Sequence, residues 1–265
     1  MDIKLIKMFY MGEAFMNYLL VVIMGIVIGS FLNVCIFRVP NEESISYPPS
    51  HCSKCNHRLM SLDLIPIFSF AFLRGKCRYC KEEISFQYPI VESLNCILYI
   101  IIFLKYGISV TALKYCILIS LLIVISFIDY KTQYVYRSTI IFGSICGFIF
   151  MLINFTLYRS GVLDSIAGSI IGFFIIKMIV IITKGMGDGD AEIAAVCGLF
   201  LGVKGILLGL FLSVIIGGAS GILIIILKFK NLKDKIAFGP FIAVGAFISM
   251  MWAKEILEWY MKQIL

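Results

Sequence analysis

Charge is scarce in this chain. Only 15% of its 265 residues are Asp, Glu, Lys or Arg, against 61% hydrophobic and a mean hydropathy of +1.00. That balance excludes a water-soluble domain of this size and places the chain in a bilayer. Histidine is scarcer still: His51 and His57 are the only two, so no Ser/His catalytic pair can form away from their segment. There is no glycine-rich nucleotide loop following a strand, no lipidation motif, no low-complexity stretch and no internal repeat, which removes the usual signatures of dinucleotide binding, lipid anchoring and solenoids. The net charge of +7 is no nucleic-acid footprint either, because the Lys and Arg residues sit in short segments between apolar runs instead of along one face.

What is present is a succession of apolar runs. Eight of them, at about 14–37, 89–104, 109–128, 138–157, 162–183, 191–203, 205–228 and 236–253, are candidates to cross a hydrocarbon layer of ~30 Å as helices. The sixth is short and the turn at Gly202 to Gly205 is tight, so a second count fuses runs six and seven. The expected fold is therefore an all-α polytopic membrane protein of about eight transmembrane helices. Its expected parts are a first transmembrane helix (1–37), a small polar insert (38–88) and a helical core (89–265). The first run is longer than a signal-peptide core and lacks a small-x-small cleavage site, so it reads as a retained span. With the N-terminus outside, fourteen cations fall on the inner side and eight on the outer, with Lys177 left inside a span. This bias puts the insert on the cytoplasmic side.

Five of the nine cysteines (Cys35, Cys96, Cys116, Cys146 and Cys197) lie in apolar runs, where Cys is an ordinary small hydrophobe. The other four form two C-x-x-C knuckles, Cys52/Cys55 and Cys77/Cys80. Each knuckle aims two sulfurs and several backbone N–H groups at one point, and two knuckles close a tetrahedron suited to zinc. Lys54, Arg58, Lys76 and Arg78 offset the charge of four thiolates. Four protein ligands leave no place for water, so the expected role is structural, holding together an insert too small to hold itself. Reduced thiols or two redox pairs are the alternatives, and His51 or His57 could replace one cysteine as ligand.

Two acidic places stand at run ends. Asp129 closes the third run, where the helix dipole disfavours a carboxylate, although Lys131 could simply pair with it. The run Gly185-Met-Gly-Asp-Gly-Asp190 opens the sixth, where Asp188 or Asp190 could be a helix N-cap, while the surrounding glycines leave room for another backbone. With serine–histidine chemistry excluded and the cysteines committed elsewhere, paired aspartates are the main hydrolytic option. The dipole argument makes Asp188 the ionised base and Asp129 the holder of the shared proton.

In order along the chain, the segments Gly29-Ser-Phe-Leu-Asn-Val-Cys-Ile-Phe-Arg-Val-Pro40, the two knuckles, Arg74-Gly-Lys-Cys77, Tyr88-Pro-Ile-Val-Glu92, Phe127-Ile-Asp129, Gly185-Met-Gly-Asp188 and Phe238-Gly-Pro-Phe241 resemble the type IV prepilin peptidases over nearly the whole length. The resemblance implies a bifunctional enzyme of the cytoplasmic (inner) membrane, its active site facing the cytoplasm. Such an enzyme cuts the short basic leader of a prepilin or pseudopilin after a glycine, and N-methylates the new terminus with S-adenosylmethionine. It places the family's catalytic aspartates on Asp129 and Asp188.

The sequence departs from the family at Tyr136 and Arg137, where a Pro-Asp pair is usual, and at Asp190, where a basic residue is common. For the methyl donor the candidate polar groups are Asn33, Glu92 and Asn95, which lie within spans and equally suit interhelical hydrogen bonding. A membrane methyltransferase without protease activity, or a small transporter with a polar path, are the competing readings. The expected partners are pilin-like substrates and membrane lipids, with no nucleic acid.

Overall fold

The computed structural model describes residues 3–183, 186–227 and 237–264. Lys184, Gly185, Lys228, Lys230, Lys233 and Lys235, which entered the motif and charge readings, lie outside them. Among the described residues the ordered secondary structure is helical, apart from two isolated bridges in the insert. That is the outcome expected in lipid, where each backbone N–H and C=O must find a partner within its own segment. Among the described residues, seven helices are long and apolar enough to cross a membrane. Their outer faces carry large apolar side chains, such as Phe142, Ile145, Phe148 and Leu152, that only lipid would solvate favourably.

The chain clusters into two compact units that divide between Ala112 and Leu113. α3 therefore sits with α1 and the insert instead of with the spans that follow it.

In the first unit, α1 (Ile3–Arg38) packs along α3 (Gln87–Tyr106). The approach is close because small residues face the partner: a Cβ on Gly25 would stand 2.8 Å from Cys96 Cα, and one on Gly29 2.7 Å from Glu92 Cα. Between them lies the insert, with a 3₁₀ turn at Ser61–Leu64 and the short helix α2 (Phe68–Phe72). The apolar Leu62 to Leu73 stretch, which holds Asp63 and Pro66, is turn and short helix, too short to span.

The second unit comprises α4 (Val110–Thr132), α5 (Arg137–Tyr158), α6 (Val162–Thr183), α7 (Asp188–Ile226) and α8 (Gly239–Ile264). α7 covers the expected sixth and seventh runs in one stretch, interrupted at Gly202, whose φ of 69° no helix tolerates. The interruption reverses the chain. The Ala194 carbonyl oxygen and the Ile206 Cγ1 lie 2.7 and 3.0 Å from the place a Gly172 Cβ would take, whereas twelve residues of straight helix would separate them by about 18 Å. α7 is therefore a helical hairpin with arms 188–201 and 203–226. Seven long helices by length and composition correspond to eight apolar rods.

The reversal is capped from its neighbours: Lys114 Nζ donates to the Phe200 carbonyl at 2.7 Å, and the Val203 N–H donates to Asp164 Oδ1 at 3.1 Å. The second arm then runs antiparallel to α8, with Ser249 Oγ donating to the Gly205 carbonyl at 2.6 Å. Because both arms and both flanking helices alternate in direction, the C-terminal ends of α4 and α6 and the N-terminal ends of α7 and α8 meet at one end of this unit.

Candidate active site and metal centre

The four-cysteine cluster, a candidate metal centre, is built from two copies of one local geometry. In the first knuckle the Cys52 N–H donates to the His57 carbonyl at 3.0 Å and the Asn56 N–H to the Cys52 carbonyl at 2.9 Å. In the second the Cys77 N–H donates to the Glu82 carbonyl at 2.8 Å and the Lys81 N–H to the Cys77 carbonyl at 3.1 Å. Asn56 and Lys81, each one residue past its C-x-x-C, are left-handed with φ of 54° and 61°, which turns the backbone N–H groups toward the sulfurs. Bridges His51–Arg58 and Lys76–Glu83 close the two loops.

The four Sγ atoms all lie within 4.8 Å of one another, and Cys52 and Cys80 are 3.9 Å apart. A tetrahedral site with zinc–sulfur bonds of about 2.3 Å has edges of about 3.8 Å, so the donor set fits such an ion. The Cys55 backbone N–H, the largest influence, and that of Lys54 pull the Cys52 thiol down to about 7 against partial desolvation. The Glu82 N–H pulls the Cys80 thiol down, but desolvation and the other three sulfurs outweigh it and hold it up at about 11, so Cys52 is the sulfur that gives up its proton first.

Neither histidine joins the cluster. His57 stacks on Tyr79 with centroids 3.6 Å apart, and His51 Nδ1 lies 3.1 Å from the Pro49 carbonyl. Of the four balancing cations, Arg78 instead grips Asp63 (Nε–Oδ1 2.6 Å) and Lys54 pairs with Glu82 at 3.6 Å. Partial desolvation pushes the Asp63 carboxyl up, but the Arg78 guanidinium and the Met60 N–H outweigh it and hold it below the usual carboxylate range.

The polar residues of α1 and α3 are tied to backbone. Asn95 Nδ2 donates to the Gly25 carbonyl at 2.8 Å, and Asn33 Nδ2 to the Tyr88 carbonyl at 3.0 Å. Glu92 Oε2 accepts the Ile67 N–H at 2.7 Å, which anchors the insert to α3. All three side chains are buried and taken up by these contacts.

At the converging end of the second unit, the acid that lies within electrostatic reach of Asp129 is Asp190, while Asp188 pairs with Lys177. Asp129, at the end of α4, is 5% exposed, and its Oδ2 accepts the Gly239 N–H at 2.9 Å. Gly239 permits this approach, since a Cβ there would stand 2.7 Å from the same oxygen. Asp190 is 4% exposed and accepts the Gly187 N–H at 3.0 Å. It thereby caps α7 from its first turn, as the third residue of a capping box does, and it lies within electrostatic reach of Asp129.

Asp188, two residues earlier, points the other way. Its side chain is 77% exposed, and Oδ1 accepts a bond from Lys177 Nζ at 2.7 Å. Gly189 sits between the two acids, against Val135 of the α4–α5 loop, where a Cβ would meet that side chain at 2.6 Å.

The site thus holds three carboxylates and one ammonium: two buried acids within electrostatic reach of each other and one exposed acid paired with Lys177. Lys177 was legible as a charge out of place in an apolar run, and Gly239 as part of Phe238-Gly-Pro-Phe241. Neither sequence signal said what the residue would touch.

Comparison with known proteins divides the chain much as its contacts do. Residues 23–106 match the bacterial peptidase A24 N-terminal domain, and residues 116–222 match the type IV leader peptidase family. A prepilin leader peptidase/N-methyltransferase of Bacillus subtilis (strain 168) is 33% identical over 248 residues, spanning 92% of this chain and 97% of that protein. One of Neisseria gonorrhoeae is 32% identical over 256 residues (86% and 88%), and one of Aeromonas hydrophila 29% over 284 residues (96% and 97%). No solved structure matches the chain. With both halves matched and relatives covered almost end to end, the chain belongs to the type IV leader peptidase family.

Proposed function

We propose that this protein is a multi-pass membrane aspartyl endopeptidase that removes the leader of type IV prepilins or pseudopilins and N-methylates the new N-terminus. The carrying observation is the gathering of Asp129 and the Asp188–Asp190 turn at one end of a helical unit, alongside relatives whose names state both activities. The cation bias of the loops supports a cytoplasmic side for this end, and the resemblance to the prepilin peptidases implies the inner membrane.

In the reaction, Asp188 works as the ionised base. It stands at the N-terminus of α7, where the helix dipole favours negative charge, and beside the Lys177 ammonium. It takes a proton from the attacking water. Asp129, at the C-terminus of α4 and removed from solvent, holds the proton that passes to the scissile amide. The Gly239 N–H fixes one oxygen of Asp129 and leaves the other to face the substrate. Asp190 adds a third acid where relatives commonly carry a base, and it makes the neighbourhood of Asp129 more electronegative.

The ion at Cys52, Cys55, Cys77 and Cys80 is zinc in this reading and serves the fold of the insert. Methyl transfer draws on S-adenosylmethionine, which supplies an electrophilic methyl group when bound. The candidate polar groups for it in the first unit are Asn33, Glu92 and Asn95, which would have to exchange the backbone contacts they make here for contacts to that donor.

The test is co-expression of the chain with a pilin precursor whose mass is followed. Loss of the leader in wild type, and its retention in both Asp129→Asn and Asp188→Asn, is the expected result. A methyl increment on an uncut precursor would favour the methyltransferase-only reading, and an unchanged precursor would favour the transporter.

A further inference from the structure

From Ile166 to Thr183, α6 carries a single charge, Lys177. An ammonium within an apolar span is costly unless it is paired or reaches the interface. Lys177 lies six residues before the helix end, roughly 9 Å along its axis, farther than its stem can reach, so it is held by pairing instead: its Nζ donates to Asp188 Oδ1 at 2.7 Å. The contact crosses the α6–α7 junction, so it joins two elements through a charge-assisted hydrogen bond.

Asp188 has special need of such a contact. Its side chain is 77% exposed, so packing does not fix its rotamer, unlike the buried Asp129 and Asp190. Asp190 does not compete for the ammonium, because it is turned inward to the Gly187 N–H.

We propose that Lys177 is a positioning residue for the peptidase reaction, holding Asp188 through Oδ1 so that Oδ2 is presented to the attacking water. The proposal rests on Asp188 being the base. It assigns Lys177 no contact with substrate; its effect runs through the orientation and charge of the carboxylate it grips. A carboxylate freed from this hold spends most of its time in unproductive rotamers, which lowers turnover without weakening substrate binding.

The experiment compares wild type, K177M, K177R and D188N as full-length protein in lipid vesicles, with a prepilin-derived substrate and separate determination of kcat and KM. The expected result is a fall in kcat of about 10- to 100-fold for K177M with KM little changed, substantial recovery in K177R, and no cleavage by D188N. If K177M fails to accumulate in the membrane, K177Q replaces it, with the same expectation. Wild-type kcat in the uncharged variant overturns the proposal, as does an equal loss in K177R or a change confined to KM. Cleavage by D188N instead overturns the base assignment beneath it, so the two failures are told apart.

Discussion

The two units treat intramembrane polar groups in opposite ways. In the first, Asn33, Asn95 and Glu92 are each tied to a backbone group of another segment, so a polar side chain becomes a fastener between α1, α3 and the insert. In the second, Asp129 and Asp190 each receive one glycine N–H and then face each other's charge, while Asp188 is left in the open on a lysine. Fully satisfied polar groups rigidify a fold. Acids gathered together with spare acceptor capacity are the arrangement from which proton transfer is built. The difference teaches which buried acids to suspect: not the most deeply placed, but those whose neighbours are other acids.

This contrast can be broken most forcefully in the first unit. Replacing Cys52 with Ser should remove a metal whose binding to four-thiolate sites contributes about 10–16 kcal/mol in isolated knuckle peptides. The metal content per chain should drop to near zero, and the insert should become protease-sensitive within residues 38–88. A metal-free insert of unchanged protease resistance would show that hydrogen bonds alone hold it.

In the second unit, Asp129→Asn should cut cleavage by about 10³-fold, or about 4 kcal/mol of barrier, with the helical content by circular dichroism unaltered. Retained cleavage would return Asp129 to the class of fasteners.

Gly239→Ala should come next. The added methyl stands within 2.7 Å of Asp129 Oδ2, and displacing that carboxylate by about 1 Å should cost roughly 10² in turnover, again with little change in thermal stability. A loss of stability without loss of turnover would make this glycine a packing residue.

The smallest effect is expected at Asp63→Asn in the insert. Losing its charged bond to the solvent-exposed Arg78 should lower the melting temperature of the insert only slightly and leave its metal content intact. The carboxyl is held low in the folded state, so its contribution is present above the ordinary carboxylate range and fades as pH falls through the depressed value. The gap between variant and wild type should therefore close toward low pH.

Much of this was legible in the sequence because its signals are local. Apolar run length gives the spans, and a C-x-x-C pair carries its own turn geometry, so Cys52, Cys55, Cys77 and Cys80 were identifiable without a fold. The count of eight rods was legible too, with its uncertain point at Gly202, where a positive φ reverses the chain in place of a loop. The environment of each aspartate was not legible. The N–H that meets Asp129 comes from Gly239, 110 residues away. The two acids of one turn, Asp188 and Asp190, take opposite surroundings because one lies on the inward face of the first turn of α7 and the other does not. Helix periodicity is blind to such choices in a span that is apolar all round. Likewise Asn33, Glu92 and Asn95 could be read from sequence as ligands or as fasteners, and only their partners distinguish those uses.

The hairpin at Gly202 has a consequence for depth. Its first arm, about 14 residues of helix, rises roughly 21 Å, which falls short of a hydrocarbon layer of ~30 Å. The bend stands level with Asp164, in the first turn of α6, and Asp188 meets Lys177, six residues inside the other end of that helix, so the missing length falls at the acid-bearing head of the arm. Lys114 and Asp164 meanwhile take up peptide groups that the broken helix leaves without partners.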